Sequence, residues 1–152
     1  MTNLHTSTEE RRKVNRDVIS KLLGERAEML VTFCRLAGVE PYTPSNKPVQ
    51  ELLQEFCQIL VDYVAAGHFA LYERIIEGKE RRAHVAQLAA EIYPRISLTT
   101  DVALDFNDKY DCEDHCTKLD KLSSDLSRLG EELAARIEME DKLISAMSRK
   151  NN

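Results

Sequence analysis

The chain has 152 residues, a formal net charge of −5 and a pI near 5.4. That length suits one domain, 1–152, able to bury about two-thirds of the surface its unfolded form exposes. The acidic balance argues against a protein that holds nucleic acid by its phosphates, because such binding draws on dense Lys and Arg.

No run approaches the ~20 apolar residues that span a bilayer. Glu9, Glu10, Arg11 and Arg12 stand where a signal peptide would be apolar, so no membrane association and a soluble, cytoplasmic chain are expected. Segments 1–7 and 150–152 read as frayed ends. Cys34 and Cys57 lie in apolar helical patterns, where reduced cysteine acts as a small hydrophobe, and all four cysteines are expected as free thiols.

The first helix starts at Ser7 or Thr8, a capping residue followed by Glu9 and Glu10. It runs to Gly38 with a seam of Asn15, Val18 or Ile19, Leu22, Arg26, Met29, Phe33 and Leu36, a repeat suited to lengthwise packing. Pro41, Pro44 and Pro48 mark a connection. The second helix starts near Pro48, tolerated in a first turn, and is expected to end on a left-handed Gly67. Its stripe Val49, Leu53, Phe56, Leu60, Tyr63 and Val64 faces inward, leaving Asp62 outward with Glu51, Glu55 and Gln58. A carboxylate at Asp62 near a helix C-terminus meets the negative end of the dipole, which a basic partner or Arg74 would relieve.

A short third helix, His68 to about Gly78, places His68, Tyr72, Ile75 and Ile76 inward, with Glu73, Arg74 and Glu77 outward. From Glu80 to Tyr110 helical spacing is interrupted by Pro94, which predicts a kink or two abutting helices. A turn at 111–114 leads to a last helix from about Glu113 to Arg149. Its heptads set Leu119, Leu126, Leu133, Glu140 and Met147 on one register, with Leu122, Leu129, Arg136 and Leu143 on the other. Gly130 inside it implies close approach by a neighbour. The elements together predict an all-α fold, an antiparallel up-down four-helix bundle with an additional short helix and a Pro94 kink.

Arg26, His68, Arg136 and Glu140 fall on core faces, with Tyr72 beside His68, and buried charge needs partners; an internal polar network is expected. It reads either as a register-fixing cluster or as a pocket for a small ligand. No Glu-x-x-His occurs, so a di-iron bundle site has no ligands. Cys112, His115 and Cys116 offer three zinc ligands where a structural site needs four. With no phosphate-cradling glycine loop and no Gly-x-Ser-x-Gly elbow, neither a metal, a cofactor nor a catalytic residue is expected.

One ordered set of motifs is far more specific. It comprises Phe56-Cys57-Gln58, Leu60-Val61-Asp62-Tyr63, Ala66-Gly67-His68-Phe69, Tyr72-Glu73 and Tyr93-Pro94. It continues through Ala103-Leu104-x-Phe106-Asn107-Asp108, Gly130-Glu131-x-Leu133-x-Ala135-Arg136 and Glu140-Asp141-Lys142-Leu143-Ile144. These resemble the bacterial regulator of sigma D family (Rsd/AlgQ-like anti-sigma factors) over nearly the whole chain. The resemblance implies a helical bundle that binds the housekeeping sigma factor of RNA polymerase, chiefly its C-terminal promoter-recognition domain, and keeps it from core polymerase and promoter DNA. Arg26 and Asp62 match positions the family carries, and the resemblance implies a partner contact at Asp62; Glu51 and Glu55 on the same acidic side of the second helix, and Leu22 in the helix-one stretch where the family often has a tryptophan, are the further candidate contacts. The alternative is a signalling module responsive to a small ligand or a phosphocarrier. Family members often carry Asp-Arg-Trp-Leu where this chain reads Ser20-Lys21-Leu22-Leu23, and it has no tryptophan.

Overall fold

The computed structural model describes residues 2–73, 77–112 and 116–148, with side chains described from Arg16 onward. Four long helices make up the described fold: α1 (Thr2–Ala37), α2 (Lys47–Gly67), α3 (Ala83–Tyr110) and α4 (Leu122–Ser148). The described residues contain no strand, and the fold is an all-α helical bundle. None of these helices is long and apolar enough to cross a membrane.

The core forms where the apolar stripes meet. Leu22, Met29 and Leu36 of α1 join Val49, Leu53, Phe56 and Leu60 of α2, all essentially inaccessible. Leu129 and Leu143 supply the α4 side, and Ile96, Ala103 and Phe106 the α3 side. Edge-to-face rings run through it, Phe33 on Phe56 and Phe56 on Phe106, with centroids 5.9 and 5.7 Å apart. The expected close approach at Gly130 is present: a Cβ there would lie 2.9 Å from the Phe33 ring.

Side chains tie the connections down. Asn46 precedes α2, but its amide donates to the carbonyls of Val39 and Pro41 rather than capping the helix. Tyr42 donates to the Leu36 carbonyl, satisfying an acceptor at the end of α1. Gln50 exchanges two bonds with the backbone of Cys116, at 2.7 and 3.1 Å, pinning the α3–α4 connection to α2.

Several expectations need correction. α1 begins at Thr2, so Ser7 and Thr8 lie within it rather than capping it. Gly67 is the last residue of α2 but not a left-handed cap: its φ of −62° and ψ of −44° are right-handed, and the chain runs on without a break into a π turn at His68–Tyr72. Of the two arrangements expected at Pro94, a kinked helix or two abutting ones, the second does not hold: α3 is one helix with Pro94 inside it. α4 starts at Leu122; the buried Leu119 lies in the connection before it. Cys112 and Cys116 are disulfide-bonded, with Cα atoms 5.3 Å apart, rather than free. Cys34 is free but exposed, and Cys57 is free and buried. Residues 1, 74–76 (Arg74, Ile75, Ile76), 113–115 (Glu113, Asp114, His115) and 149–152, and the side chains of 2–15, lie outside what is described.

Candidate functional site: a buried ion-pair network and an acidic helix face

Two polar constellations stand out, one inside the bundle and one on it. The inner one is built on α4, where Arg136 and Glu140 sit one turn apart on the core-facing register. They are 1% and 0% exposed, and Arg136 Nε lies 3.1 Å from Glu140 Oε2. Charge this deeply buried needs its remaining hydrogen-bonding capacity filled. Arg136 Nη1 donates to Thr99 Oγ1 at 3.2 Å and Thr100 Oγ1 at 2.6 Å on α3. Tyr63 of α2 donates its hydroxyl to Glu140 Oε1 at 2.6 Å, and the Arg136 guanidinium stands 5.5 Å over the Tyr63 ring.

Arg26 of α1 reaches in from the edge, 3.6 Å from Glu140 Oε1 and 2.8 Å from Asp141 Oδ1. The network therefore ties together all four long helices. Burial raises the Glu140 carboxyl above its ordinary range, opposed by the Tyr63 hydroxyl and the two arginines. Burial works against the charge on Arg26, but the hydrogen bond and charge of Asp141 outweigh it and raise its pKa. Gly67 explains how the group fits: a Cβ there would come within 3.0 Å of Arg136 Nη2 and 3.4 Å of Glu140 Oε2. Glycine lets the α2 backbone close directly over the ion pair.

Arg26, Arg136 and Glu140 thus meet as expected, whereas His68 does not join them. His68 is exposed, its ring edge-on to the exposed Phe69 at 5.5 Å. The inward position at that turn belongs to Gly67, and the π turn advances the next inward pair to Leu71 and Tyr72. Tyr72 is buried near the network but its hydroxyl has no hydrogen-bond partner among the described residues; its ring packs against Tyr93. Tyr63, Thr99 and Thr100 were not expected in the network. Tyr63 reads as a core aromatic, and only its hydroxyl, which needs a partner when buried, hints at more. Two surface clefts, one flanked by His84, Leu88 and Lys142 and one by Glu51, Glu55 and Asn107, are lined by none of Arg26, Tyr63, Arg136 or Glu140.

The outer constellation lies on α2. Glu51, Glu55 and Asp62 are exposed along one side, as their helical spacing requires. Glu51 and Glu55 line a cleft of about 510 Å³ between α2 and α3, with Gln58, Asn107 and the carboxylate of Asp111. Asp62 accepts a hydrogen bond from Gln58 at 3.3 Å. Because the helix passes through Gly67, Asp62 is not at its negative end, and the dipole argument for a relieving cation loses force. α3 adds exposed Asp101, Asp105 and Asp108 on its own outer side. Their spacing of four and three residues was the overlooked signal. Leu22, by contrast, is 0% exposed and packs beside Gly67, so it is a core residue and offers no surface to a partner.

At the α3–α4 connection, Cys112 and Cys116 spend their sulfurs on each other, which removes two of the three candidate zinc ligands. Burial pushes the Cys57 thiol up to about 12, so it stays protonated inside the core.

The family model described as "Regulator of RNA polymerase sigma(70) subunit, Rsd/AlgQ" matches residues 1–148. Among relatives, the Regulator of sigma D of Yersinia enterocolitica serotype O:8 is 34% identical over 150 residues, covering 95% of this chain and 88% of that protein. The Regulator of sigma D of Shigella dysenteriae serotype 1 is 36% identical over 147 residues, covering 95% and 92%. The Regulator of sigma D of Yersinia pestis is 35% identical over 150 residues, covering 95% and 87%.

Proposed function

The chain belongs to the Rsd/AlgQ family of regulators of the RNA polymerase sigma(70) subunit, and on that premise we propose that it binds the housekeeping sigma factor through the acidic face of α2. It is a regulatory protein-binding chain, not an enzyme, and it acts as an anti-sigma regulator. The finer mechanism is stoichiometric sequestration: the bundle occupies the C-terminal promoter-recognition domain of sigma and so withholds sigma from core polymerase and promoter DNA.

The observation that carries this reading is the placement of Glu51, Glu55 and Asp62 on one exposed side of α2, without a salt bridge among the described residues. A domain that reads DNA with a helix-turn-helix presents Lys and Arg to phosphates. An exposed carboxylate row attracts that same surface, speeds encounter and competes with the DNA backbone for it. With the protein acting on sigma in this way, it neither contacts nucleic acid directly nor enters a membrane, and its place is the cytoplasm.

Size-exclusion chromatography of the purified chain with its cognate housekeeping sigma gives a 1:1 complex at micromolar concentration in low salt. Two species eluting separately under those conditions would sink the proposal. The ligand-responsive alternative lacks support, because the polar groups it needs around an open pocket are engaged with one another: Arg136 with Glu140 and Thr100, and Glu140 with Tyr63. A phosphocarrier protein is a further candidate partner, tested by adding it to the sigma complex and looking for displacement.

A further inference from the structure

We propose that the outward face of α1 is a self-association surface, on which α1 of a second copy of this chain docks in antiparallel orientation. The face is defined by what the core leaves unused. Leu22, Met29 and Leu36 point inward and are fully buried, while Leu23, Ala27, Leu30, Val31 and Cys34 on the opposite side are exposed. Leu23, Leu30 and Val31 are large apolar side chains at 38, 41 and 54% exposure. Exposed apolar side chains occur singly on many proteins. Here they recur along one helix at steps of four, three and four (Leu23, Ala27, Leu30, Cys34), the spacing of a coiled-coil seam.

The flanking charges say what covers the seam. Asp17, Lys21, Glu28 and Arg35 follow one edge of it, alternating in sign, all exposed and in no salt bridge among the described residues. Such a row becomes its own complement when a second α1 is laid against it in reverse. In the register that sets Ala27 opposite Leu23 of the second copy and Ser20 opposite Leu30 of the second copy, large residues meet small ones. The same register brings Asp17 beside Arg35 of the second copy and Lys21 beside Glu28 of the second copy. Two-fold symmetry makes each of these pairs twice, as an isologous interface requires.

A parallel pairing lacks this match. It turns the charged edge towards the other edge of the seam, which carries Ile19 and Arg26, and Arg26 is already engaged by Asp141. A seam of so few layers stays well below the ~1,000 Å² of a stable interface, so the dimer is weak, with a dissociation constant of roughly 10–100 µM. The surface is separate from the acidic face of α2, and its test does not depend on sigma binding.

Sedimentation equilibrium on the full chain at low salt reads the outcome. The natural chain shows a monomer–dimer equilibrium across roughly 1–500 µM, a range that brackets the expected constant. Leu30→Glu abolishes the dimer while helicity by circular dichroism and thermal melting stay unchanged, because the residue is outside the core. Asp17→Arg and Arg35→Asp each weaken the dimer about tenfold, since each reversal spoils two symmetry-related pairs. The combined Asp17→Arg/Arg35→Asp chain recovers the original affinity.

Three results would overturn the proposal. A monomer throughout the concentration range is one, and failure of the charge swap to restore association is another. Joining of Cys34 to Cys34 by a short bismaleimide within the dimer is the third, since the antiparallel register holds those two thiols far apart. Loss of sigma binding in Leu30→Glu together with a monomeric natural chain would assign the seam to sigma instead.

Discussion

Glu140 shows how a single residue is held by charge rather than by shape. Its carboxylate is met by Arg136, Tyr63 and Arg26, contributed by three different helices. Replacing it by Gln keeps a hydrogen-bond acceptor for Tyr63 but strands the buried Arg136 guanidinium, at an expected cost of about 3–5 kcal/mol. Removing both partners together, as Arg136→Met with Glu140→Leu, should cost far less than the two single changes summed, because no unpaired charge remains. Urea unfolding of the two singles and the double separates these; a fully additive double would show that the pair is not coupled. The heptad placed both residues inside because two charges stood where leucines belong. The third partner, Tyr63, stayed hidden because an aromatic on a core stripe needs no explanation beyond packing.

At the scale of elements, the passage from α2 into the π turn is where sequence and structure part. Glycine after an apolar stripe is an ordinary helix stop, yet here its lack of a Cβ serves a neighbour's side chain and the helix continues. Nothing local announces a π turn, and because the helical backbone runs on through Gly67, which takes the inward position, the adjacent His68 points outward although the wheel of a separate helix beginning at His68 turns it in. Gly67→Ala tests this directly. In an open helix the change stabilises by about 1 kcal/mol, as expected at Gly24, where an added Cβ meets nothing within 4 Å. At Gly67 the same methyl displaces an Arg136 held by Thr99, Thr100 and Glu140, and disturbing such charged hydrogen bonds costs about 1.5–3 kcal/mol. Gly67→Ala should therefore destabilise by about 1–2 kcal/mol net, while Gly24→Ala stabilises. Equal melting shifts for the two would refute the close-approach account.

Another element-scale contact, between the end of α3 and the start of α4, sets a pH response. Partial burial opposes ionisation of Asp125, but hydrogen bonds from Lys109 and Tyr110 outweigh it and hold its carboxyl below the usual carboxylate range. A depressed folded-state pKa contributes stability that is present above the unfolded value near 4 and is lost as pH falls through the folded value. Asp125→Asn should flatten the loss of stability below about pH 4, measured as the urea midpoint against pH. An unchanged acid limb would place that loss elsewhere.

For the molecule as a whole, the fold class and the acidic face were legible because both rest on periodicity. Glu51, Glu55 and Asp62 share a side of α2 by spacing alone, and the exposed rows of the structure agree. Loop chemistry was less legible: the Cys112–Cys116 bond spans a connection in which no repeat sets the backbone, so the wheel gave no reason to bring the sulfurs together. Leu22 shows the limit of reasoning from a missing tryptophan, since the position is filled inside the core. The division of labour that results is simple. The buried network joins the four long helices, and on the reading proposed above the exposed carboxylates of α2, in no salt bridge among the described residues, offer charge to a basic partner. The most direct test of this account is the affinity of the chain for its housekeeping sigma factor, measured by titration calorimetry beside Glu55→Lys/Asp62→Lys. The account predicts weakening of about 10- to 100-fold at low salt, a smaller salt dependence in the variant, and unchanged thermal melting; equal affinities for the two chains would contradict it.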